Sequence, residues 1–576
     1  MTVAAVIGVA VIVGHGATLV LQNAKKDTIR RTGRRGWSGG TAVVLMLLAA
    51  FLVGYIALTV KWEDFTAYDN SELTYLALTG HNIKPMIFPG SARFYPFDLQ
   101  EFNLIHHFTH TVVGYHALTI VQLLILSCVL LILDDELNTT ARAALVALAL
   151  IAPSIVISFT GLVYPERNVV FWLACLVFCV KRFEKTQSTS WAVAAAVCAQ
   201  IMIYYKETAF LLVLGLALGR FLLRCRNRDE AGWGCIRLRD KESRLDLCLV
   251  SLGVLFLLYY SAAMFPHPNS NPNYAGHGRL PLPEVLFTYL KLDLLAWLFL
   301  TVVLGRACLI LRRRLAPLPL WDGLALGGAA YFTAYLYLRI CSAYFLAPVD
   351  LIAVLYVGRF AILSLQNRPA LGSKVAALVL LVAILVQDVS ISAFHLFERK
   401  NIIQAKAEVA RVVKARYQGG VGRTQRLFFP FANLYVIFEF AGYLNYRGVP
   451  VEGASVDSPG LKGIVLVSGA VVKDGPCVPL SYSAICHTGS VPEPGDLVLL
   501  MPDDDASFTE ANAYRGQGEI LFSHEPRPRI PQWFSWYVSR LRVLSPFLVP
   551  GPRRFLSFAQ SELHDRRLYA SVIAWE

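Results

Sequence analysis

The chain has 576 residues, of which 56% are hydrophobic and 16% are charged, and its mean hydropathy is +0.51. A soluble globular protein carries about 25% charged residues, so this composition excludes a soluble protein and indicates an integral membrane protein. The net charge of +13 would suggest a nucleic-acid partner in a soluble protein. Here the basic residues lie in short segments between apolar runs, the pattern of cytoplasmic loops, which argues against nucleic acid.

Apolar runs long enough to cross a bilayer recur along the first two thirds of the chain. A helix of about 20 apolar residues spans ~30 Å of hydrocarbon, and the runs predict a polytopic α-helical membrane protein with about twelve transmembrane helices. The first run has neither a basic segment before it nor a small-residue cleavage site, so we expect a span rather than a signal peptide. The predicted spans are 3–21, 41–60, 116–134, 142–160, 168–181, 190–205, 208–223, 246–264, 290–311, 320–338, 344–362 and 374–392.

Basic residues are concentrated in every second loop between these spans. They crowd the first loop, the loop after the fifth span, the 224–245 loop and the segment Arg312–Arg314. Basic loops face the cytoplasm in membrane proteins. The same alternation places the loops 61–115, 161–167 and 265–289, and everything after about residue 393, on the outside.

The composition changes after the last predicted span. Gly/Pro turns, a helix-like segment at 398–417 and strand-like runs at 426–429, 463–468 and 496–501 follow one another. We therefore predict a transmembrane domain at 1–394, with the external loop 61–115, and a soluble extracytoplasmic α/β or α+β domain at 395–576. In that domain Cys477 and Cys486 lie nine residues apart around a turn, and the sequence leaves open whether they form a disulfide or stay two thiols.

The first external loop opens with the segment AYDNSELTYLALTG, residues 67–80. It contains Tyr68, Asp69 and Glu72, and is followed by GSARFYPFDLQEFNLIHH, which contains Arg93 and begins an amphipathic stretch. A carboxylate at the membrane–water boundary, backed by apolar helices, should have a raised pKa and can act as a general base. The alternative is that Asp69 is a helix N-cap and Glu72 a solvated side chain one turn later.

Two short external turns also combine acidic and basic residues. GLVYPERNVV places Glu166 and Arg167 at the mouth of apolar helices, where an uncompensated charge is costly and tends to be functional. YYKETAFLL contains Lys206 and Glu207, and both a guanidinium fork and a lysine ammonium suit a phosphate group. The alternative for both turns is an interfacial ion pair, or a basic side chain that reaches the lipid headgroups. Further candidates are His267 in a Pro/Asn-rich loop, and Arg339 and Tyr344 beside a late span.

Taken in order, these segments resemble the class C (GT-C) integral-membrane glycosyltransferases. The resemblance rests on a basic N-terminal segment, the acidic D-x-x-E-x-x-Y-x-A-x-x-G, the YPER and YKE turns, the late span AYFLAPVDLIAVLY and the external C-terminal domain. This family includes bacterial aminoarabinose transferases of lipid A, protein O-mannosyltransferases and mycobacterial arabinofuranosyltransferases. The resemblance covers about residues 40–395 and includes no long exact motif.

The resemblance implies transfer of a hexosyl or pentosyl group from a polyprenyl-phosphate donor, such as undecaprenyl phosphate, to an extracytoplasmic glycan or glycolipid. The reaction would be an inverting single displacement, and the protein would lie in the bacterial inner membrane with a periplasmic C-terminal domain that serves cell-envelope polysaccharide synthesis. The resemblance implies two catalytic residues: Asp69, which matches the family's catalytic carboxylate, and Glu166, which matches its second acidic residue and would orient the sugar or the acceptor. The substrate-binding candidates are Glu72, Tyr68, Arg93, Arg167, Lys206, Glu207, His267, Arg339 and Tyr344.

The sequence departs from the family pattern at one signature and is sparse in metal ligands. In the late R-Y-x-x-P motif, Ala343 replaces the arginine and Pro348 lies one residue too far from Tyr344, so Arg339 or Arg167 would have to take the phosphate. We expect no cofactor and no metal site, although some relatives use a divalent metal.

Three alternative functions remain at this point. An O-antigen-type ligase or polymerase would have its long external loop between late spans. A lipid or solute transporter would bury charged residues in mid-span, and Asp350 and Asp388 are the nearest cases. A non-catalytic scaffold would use its tail to recruit partners. The sequence specifies neither the sugar, nor the acceptor, nor the oligomeric state.

Replacement of Asp69 by asparagine tests the proposed base. Asp69→Asn should abolish sugar transfer while leaving folding and expression intact, because an amide cannot take the proton of the acceptor hydroxyl. The measurement is release of polyprenyl phosphate from a panel of polyprenyl-phosphate sugars. Near-normal turnover by this variant would show that the assignment is wrong.

Overall fold

The computed structural model describes most of the helical part of the chain and short pieces of the remainder. The described ranges are 39–61, 71–88, 93–227, 240–264, 281–340, 342–366, 371–419, 426–429, 434–449, 453–456, 464–467, 477–479, 484–486, 494–501, 515–524 and 570–575. The predicted span 3–21 and the candidates Tyr68, Asp69 and His267 lie outside these ranges. The chain divides into two compact units, Met1–Leu58, Lys84–Leu104 and Ala117–Ser392 as the first, and Thr59–Ile83, Ile105–His116 and Ala393–Glu576 as the second.

The helices follow the order of the predicted spans, with short additional helices in the first external loop. They are α1 Gly39–Lys61, α2 Ser71–Thr79, α3 Gln100–His106, α4 Val112–Leu133, α5 Thr139–Ile151, α6 Pro153–Thr160, α7 Pro165–Thr186, α8 Thr189–Tyr205, α9 Phe210–Asn227, α10 Lys241–Met264, α11 Leu282–Leu292, α12 Leu294–Leu311, α13 Pro319–Leu338, α14 Ala347–Ala353, α15 Arg359–Gln366, α16 Leu371–Gly419 and α17 Leu434–Tyr446. Single 3₁₀ turns occur at Glu207–Ala209 and Ala343–Leu346, and a π-helical turn at Val354–Gly358.

Five of the described helical segments are long and apolar enough to cross a membrane, and a sixth is formed if α5 and α6 count as one bent span. The five are Val112–Leu133, Glu207–Cys225, Lys241–Met264, Leu294–Leu311 and Ala343–Leu363. The structure supports a multi-pass membrane protein, but it does not confirm the predicted number of twelve spans. The remaining predicted spans from residue 41 onward coincide with helices that are not both long and apolar enough over the described residues; two of them, Ala42–Ala57 and Thr189–Tyr205, are shorter apolar helices.

The predicted span 142–160 is two helices, α5 and α6, that meet at a bend of 68°. Pro153 causes the break, because the residue before a proline is disfavoured in helical geometry, and Ala152 accordingly has ψ 130°. The hydroxyl of Ser392 donates a hydrogen bond to the carbonyl oxygen of Ile151 at 2.7 Å. A side chain from another helix thus satisfies a carbonyl group at the break.

The helices α9 and α13 approach each other without a layer of side chains between them. Both contain the pentapeptide GLALG, at 215–219 and at 323–327. A Cβ atom on Gly215 would lie 2.3 Å from Cα of Gly327, and one on Gly323 would lie 2.7 Å from the carbonyl oxygen of Leu216. Glycines four residues apart share one helix face and permit such an approach, as in GxxxG pairs of membrane helices. This contact places the Glu207–Ala209 turn beside the carboxyl-terminal half of α13, where Thr208 and Tyr335 are hydrogen-bonded at 3.0 Å.

In the first unit, the strands β1 Met86–Phe88 and β2 Arg93–Tyr95 form a small antiparallel hairpin. The second unit contains the remaining strands, β3 Arg426–Phe429, β4 Gly453–Val456, β5 Ile464–Val467, β6 Cys477–Pro479, β7 Ala484–Cys486, β8 Leu497–Leu500, β9 Gly518–His524 and β10 Ala570–Trp575. They form an eight-stranded sheet in the order β6-β7-β4-β5-β3-β8-β10-β9. The sheet is mixed, since the pairs β3–β8 and β4–β7 are parallel and the others antiparallel.

The predicted tail helix and strands coincide with α16, β3, β5 and β8. The segment 398–417 belongs to α16, which also includes the last predicted span. The second unit includes residues 59–83 and 105–116 of the predicted external loop, so the division at 394/395 stays a prediction. Cys477 lies directly opposite Cys486 in the β6–β7 register, a separation of about 4.5–5.5 Å between Cα atoms that a disulfide can bridge. Both alternatives for this pair remain open.

A single added methyl group at the α9–α13 contact should destabilise the protein. Gly215→Ala is expected to lower the melting temperature in detergent, because overpacking of this kind costs about 1–3 kcal/mol. Gly305→Ala on α12 is the matched control, since its Cβ would meet nothing within 4 Å. Equal melting temperatures for the two variants would contradict the described contact.

Candidate functional site

Three segments chosen from the sequence meet in the first unit. Residues 93–104 of the first external loop contact the start of α7 and the turn that joins α8 to α9; the backbone amide of Phe97 donates to the carbonyl oxygen of Tyr204 at 3.1 Å. The side chains that meet there are called the charge cluster below. Its members are Arg93, Asp98, Glu101, Glu166, Arg167, Lys206 and Glu207.

Lys206 and Glu166 form an ion pair inside the protein. The Nζ atom of Lys206 lies 3.0 Å from Oε1 of Glu166, and the two side chains are 5% and 0% exposed. The same Nζ atom lies 4.9 Å from the ring centre of Phe345 and 5.8 Å from that of Tyr95, within range of cation–π attraction. The second carboxylate oxygen, Oε2, has no hydrogen bond within the described part of the chain. The pair therefore places a carboxylate with one unpartnered oxygen beside an ammonium group.

Arg167 pairs with Glu101, a residue that the sequence analysis did not single out. Its Nη2 atom donates to Oε1 of Glu101 at 2.8 Å, and its Nη1 atom donates to the carbonyl oxygen of Leu162 at 3.1 Å. Asn168 and Tyr205 also donate to the Glu101 carboxylate, at 2.8 and 3.4 Å. Because the Arg167 side chain is buried and engaged in this way, it holds α3 against α7. Its predicted phosphate contact stays a prediction.

Arg93 and Glu207 form the more exposed pair of the cluster. The Nε atom of Arg93 lies 2.9 Å from Oε1 of Glu207, with 15% and 17% of the side chains exposed. The Arg93 guanidinium carbon lies 4.6 Å from the ring centre of Tyr95. Of the three cations in the cluster, Arg93 is the most exposed to water, and its partner Glu207 is exposed to a similar extent.

Asp98 lies buried among these charges. Burial raises the pKa of its carboxyl group well above the ordinary value, and repulsion from Glu101 adds to the effect, while Lys206 and Arg167 act in the opposite direction. Burial likewise raises the pKa of the Tyr95 hydroxyl. At neutral pH Asp98 is therefore the carboxyl group of the cluster that favours the protonated, uncharged form.

The other sequence candidates lie in different places. The Tyr344 ring is 4.6 Å from that of Tyr164 and 4.4 Å from that of Phe345, at the border of the cluster. Arg339 is exposed and ends α13 in a left-handed conformation with φ 55°. Glu72 lies in the first turn of α2, in the second unit. The structure thus brings together Arg93, Glu166, Arg167, Lys206, Glu207 and Tyr344.

Asp98 and Glu101 are the acidic residues that sequence reasoning missed. The available signal was two carboxylates three residues apart in the same external loop as Arg93, at the start of the amphipathic stretch. In the described ranges, no group of three or more His, Cys, Asp or Glu side chains is arranged to hold a metal ion. The expectation that the protein needs no metal remains a prediction.

Comparison with known proteins gives structural similarities only. No family model matches the chain, and no curated protein matches it. The chain is similar to ArnT from Cupriavidus metallidurans bound to undecaprenyl phosphate, with 12% identity, a TM-score of 0.39, and coverage of 69% of this chain and 76% of that one. It is also similar to the archaeal oligosaccharyltransferase AglB from Archaeoglobus fulgidus in complex with an inhibitory peptide and a dolichol-phosphate, with 10% identity, a TM-score of 0.39, and coverage of 92% and 88%. These identities and TM-scores are too low to transfer a function, so the functional argument rests on this chain's own residues.

The pKa of Asp98 predicts a pH-dependent stability. Below the ordinary carboxyl pKa of about 3.9, Asp98 is protonated in both the folded and the unfolded chain. Above it, the unfolded chain releases the proton and the folded chain retains it, so the group costs stability as pH rises. Asp98→Asn should therefore gain melting temperature relative to the native protein as the pH is raised from 4 towards 7.

Asp135→Asn is the control with the opposite sign. Its hydrogen bond to Lys185 lowers the pKa of Asp135 to about 2, so the charged form stabilises the folded chain at neutral pH. This variant should lose melting temperature at pH 7 and lose less as the pH falls towards 2. A parallel pH profile for the two variants would contradict the burial of Asp98.

Proposed function

We propose that this chain is a membrane glycosyltransferase that moves a sugar from a polyprenyl-phosphate donor to an extracytoplasmic glycan or glycolipid acceptor. The observation that carries the proposal is the Lys206–Glu166 ion pair and its neighbour Arg93–Glu207 at the ends of α8 and α9. Two cations close together at the end of membrane helices suit a phosphate whose isoprenoid tail lies in the lipid. In the sequence this site coincides with the YPER and YKE turns on which the resemblance to the GT-C glycosyltransferases rests.

The ion pairs of the cluster preorganise two of its cations. The cluster contains three cations and four acidic side chains. Glu166 and Glu207 keep Lys206 and Arg93 at fixed positions before the substrate arrives. A phosphate oxygen can then bind beside the carboxylate oxygen that already pairs with each cation, because an ammonium or guanidinium group donates to more than one acceptor.

The proposed reaction is a single displacement with inversion at the anomeric carbon. The acceptor hydroxyl oxygen forms the new bond to that carbon, and the bond from the carbon to the phosphate oxygen breaks with its electron pair on the phosphate. Lys206 and Arg93 neutralise the charge that develops on the departing polyprenyl phosphate. Asp69 takes the hydroxyl proton; this role comes from the sequence, because Asp69 lies outside the described residues.

The remaining cluster residues have positioning roles in this proposal. Glu166 holds the ammonium group of Lys206 rather than contacting the sugar. Glu101 and Arg167 fix α3 on α7, so that the loop with Arg93 stays at the Lys206 turn. The C-terminal domain would bind the acceptor on the periplasmic side of a bacterial inner membrane, and undecaprenyl phosphate would be the lipid carrier.

A transporter is the second candidate, because a specific observation favours it. Asp350 and Asp388 are each 1% exposed, and buried intramembrane carboxylates are typical of ion and proton pathways. Purified protein in liposomes separates the two functions. A transferase releases polyprenyl phosphate from a sugar donor, whereas a transporter moves a labelled lipid or solute and leaves the donor intact.

Removal of the Lys206 charge tests the proposed phosphate site. The double variant Lys206→Met/Glu166→Gln removes both partners, since loss of Lys206 alone would leave a buried charge and destabilise the fold. It should lower kcat for polyprenyl phosphate release by about 10²–10³-fold, the effect of losing one group that stabilises the transition-state charge. The melting temperature, measured in parallel, should remain near that of the native protein.

Lys84→Met is the matched control for this experiment. Lys84 is an exposed lysine in the same unit, nine residues before Arg93. Its loss should leave kcat within about twofold of native, since an exposed lysine outside the cluster provides no preorganised charge. Equal activity of the double variant and the Lys84→Met variant would overturn the assignment of the phosphate to Lys206.

A further inference from the structure

Three aspartates in the first unit lie buried in apolar helices, away from the charge cluster. Asp293 is the N-cap of α12, Asp350 lies in α14, and Asp388 lies in α16. Their residues are 4%, 1% and 1% exposed. None forms a salt bridge with a basic side chain in the ranges that the structure describes. An ionised carboxylate in such surroundings is costly unless something neutralises it.

Asp293 and Asp350 belong to two helices that pack against each other, α12 and α14. Oδ1 of Asp293 accepts a hydrogen bond from the backbone amide of Ala296 at 2.8 Å, and Oδ2 of Asp350 accepts one from the Ser154 hydroxyl. The second oxygen of each carboxyl, Oδ2 of Asp293 and Oδ1 of Asp350, has no donor among the described residues. The two carboxyl groups interact electrostatically. A hydrogen bond between them would require one hydrogen between two acceptor oxygens.

Asp388 is a third buried acid and lies on another helix, α16. Both of its carboxylate oxygens lack a hydrogen bond in the described part of the chain, and it interacts electrostatically with Asp293 and Asp350. The neighbouring Gln387 fixes its position. Oε1 of Gln387 accepts from the backbone amide of Leu294 at 2.8 Å, and Nε2 donates to the carbonyl oxygen of Leu290 at 3.3 Å.

A proton fits this arrangement better than a metal ion. The described residues contain no group of three acidic, histidine or cysteine side chains placed to hold a metal. One proton between Asp293 and Asp350 converts the repulsion of two buried carboxylates into a hydrogen bond. We propose that Asp293 and Asp350 form an intramembrane proton-binding site, with Asp388 as a neighbouring acid.

Asp350 of this site lies in α14, directly after a turn that contacts the charge cluster. The turn Ala343–Leu346 precedes α14 directly, and Phe345 in that turn contacts Lys206. The proton-binding site nevertheless goes beyond the proposed sugar transfer and does not depend on it. A protein that transports a solute and a protein that transfers a sugar could both contain it.

Chemical labelling of the full-length protein tests the proposal. Dicyclohexylcarbodiimide is an apolar reagent that adds as a whole molecule to carboxylic acids that carry a proton, and leaves ionised carboxylates unmodified. Protein in liposomes is treated at neutral pH, and the modified residue is identified by peptide mass spectrometry. We expect the adduct on Asp293 or Asp350, and its loss in the variant Asp293→Asn/Asp350→Asn.

Asp322 is the matched control within the same protein. It is also a buried aspartate, but it pairs with Arg306, whose Nε atom lies 2.7 Å from its Oδ1 atom. Because the Arg306 guanidinium occupies its carboxylate, Asp322 should remain unlabelled. Labelling of Asp322 to the same extent as Asp293 and Asp350 would overturn the proposal. Protection of the pair by sodium chloride, but not by choline chloride at equal ionic strength, would also overturn it in favour of a bound metal cation.

Infrared difference spectroscopy provides a second measurement that needs no access for a bulky reagent. The native protein should show a carboxylic-acid carbonyl band at neutral pH that shifts in deuterium oxide. The Asp293→Asn/Asp350→Asn variant, in which both side chains keep their size, should lose the part of this band that the pair contributes, whereas Asp98→Asn should remove a separate part. An unchanged band in the Asp293→Asn/Asp350→Asn variant would overturn the proposal. Neither the labelling nor the infrared measurement uses a sugar donor. A negative result for the proton-binding site can therefore be distinguished from a negative result in the transferase assay.

Discussion

The backbone contact between α9 and α13 determines where the cationic turn lies. Because Gly215 and Gly327 have no side chains, the two helices meet closely enough for Thr208 to bond Tyr335 at the end of the contact. Tyr335 stacks on Phe345 with ring centres 4.7 Å apart, and Phe345 lies against the ammonium group of Lys206. The position of Lys206 therefore depends on an interaction between glycines more than two helical turns away.

Because Lys206 is buried, its charge must be balanced by a nearby acidic side chain. A buried ammonium group requires a carboxylate, and Glu166 at the start of α7 provides it. The next residue, Arg167, is buried as well and takes Glu101 from the first external loop. Each ion pair thus joins two segments that are distant in the sequence. Loss of one partner would affect both the local charge balance and the attachment of a loop.

The positions of the helices can be predicted from the sequence more readily than the ion pairs that their side chains form. Hydropathy predicted a helix at each described span, but Pro153 broke one of them, and the charges of α7, such as Arg167 and Lys181, are too many for that helix to count as an apolar span. The YPER and YKE turns were recognised as important because charges at helix mouths are rare. Lys206 pairs with Glu166, and Arg167 pairs with Glu101. The partners are 40 and 66 residues apart and meet only because the helices pack, so no local sequence pattern predicts these pairs. Asp69 stays a prediction, since it lies outside the described residues.

The repeated GLALG pentapeptide also has a consequence for lipids. A seam in which a Cβ atom would already overlap the opposite backbone is too narrow for a hydrocarbon chain to enter from the bilayer. An isoprenoid tail that reaches Lys206 must therefore pass along another boundary of the helix bundle. The contact between α9 and α13 is closed to lipid chains. The glycines of this contact therefore restrict the direction from which a long lipid can approach, although they do not contact the substrate.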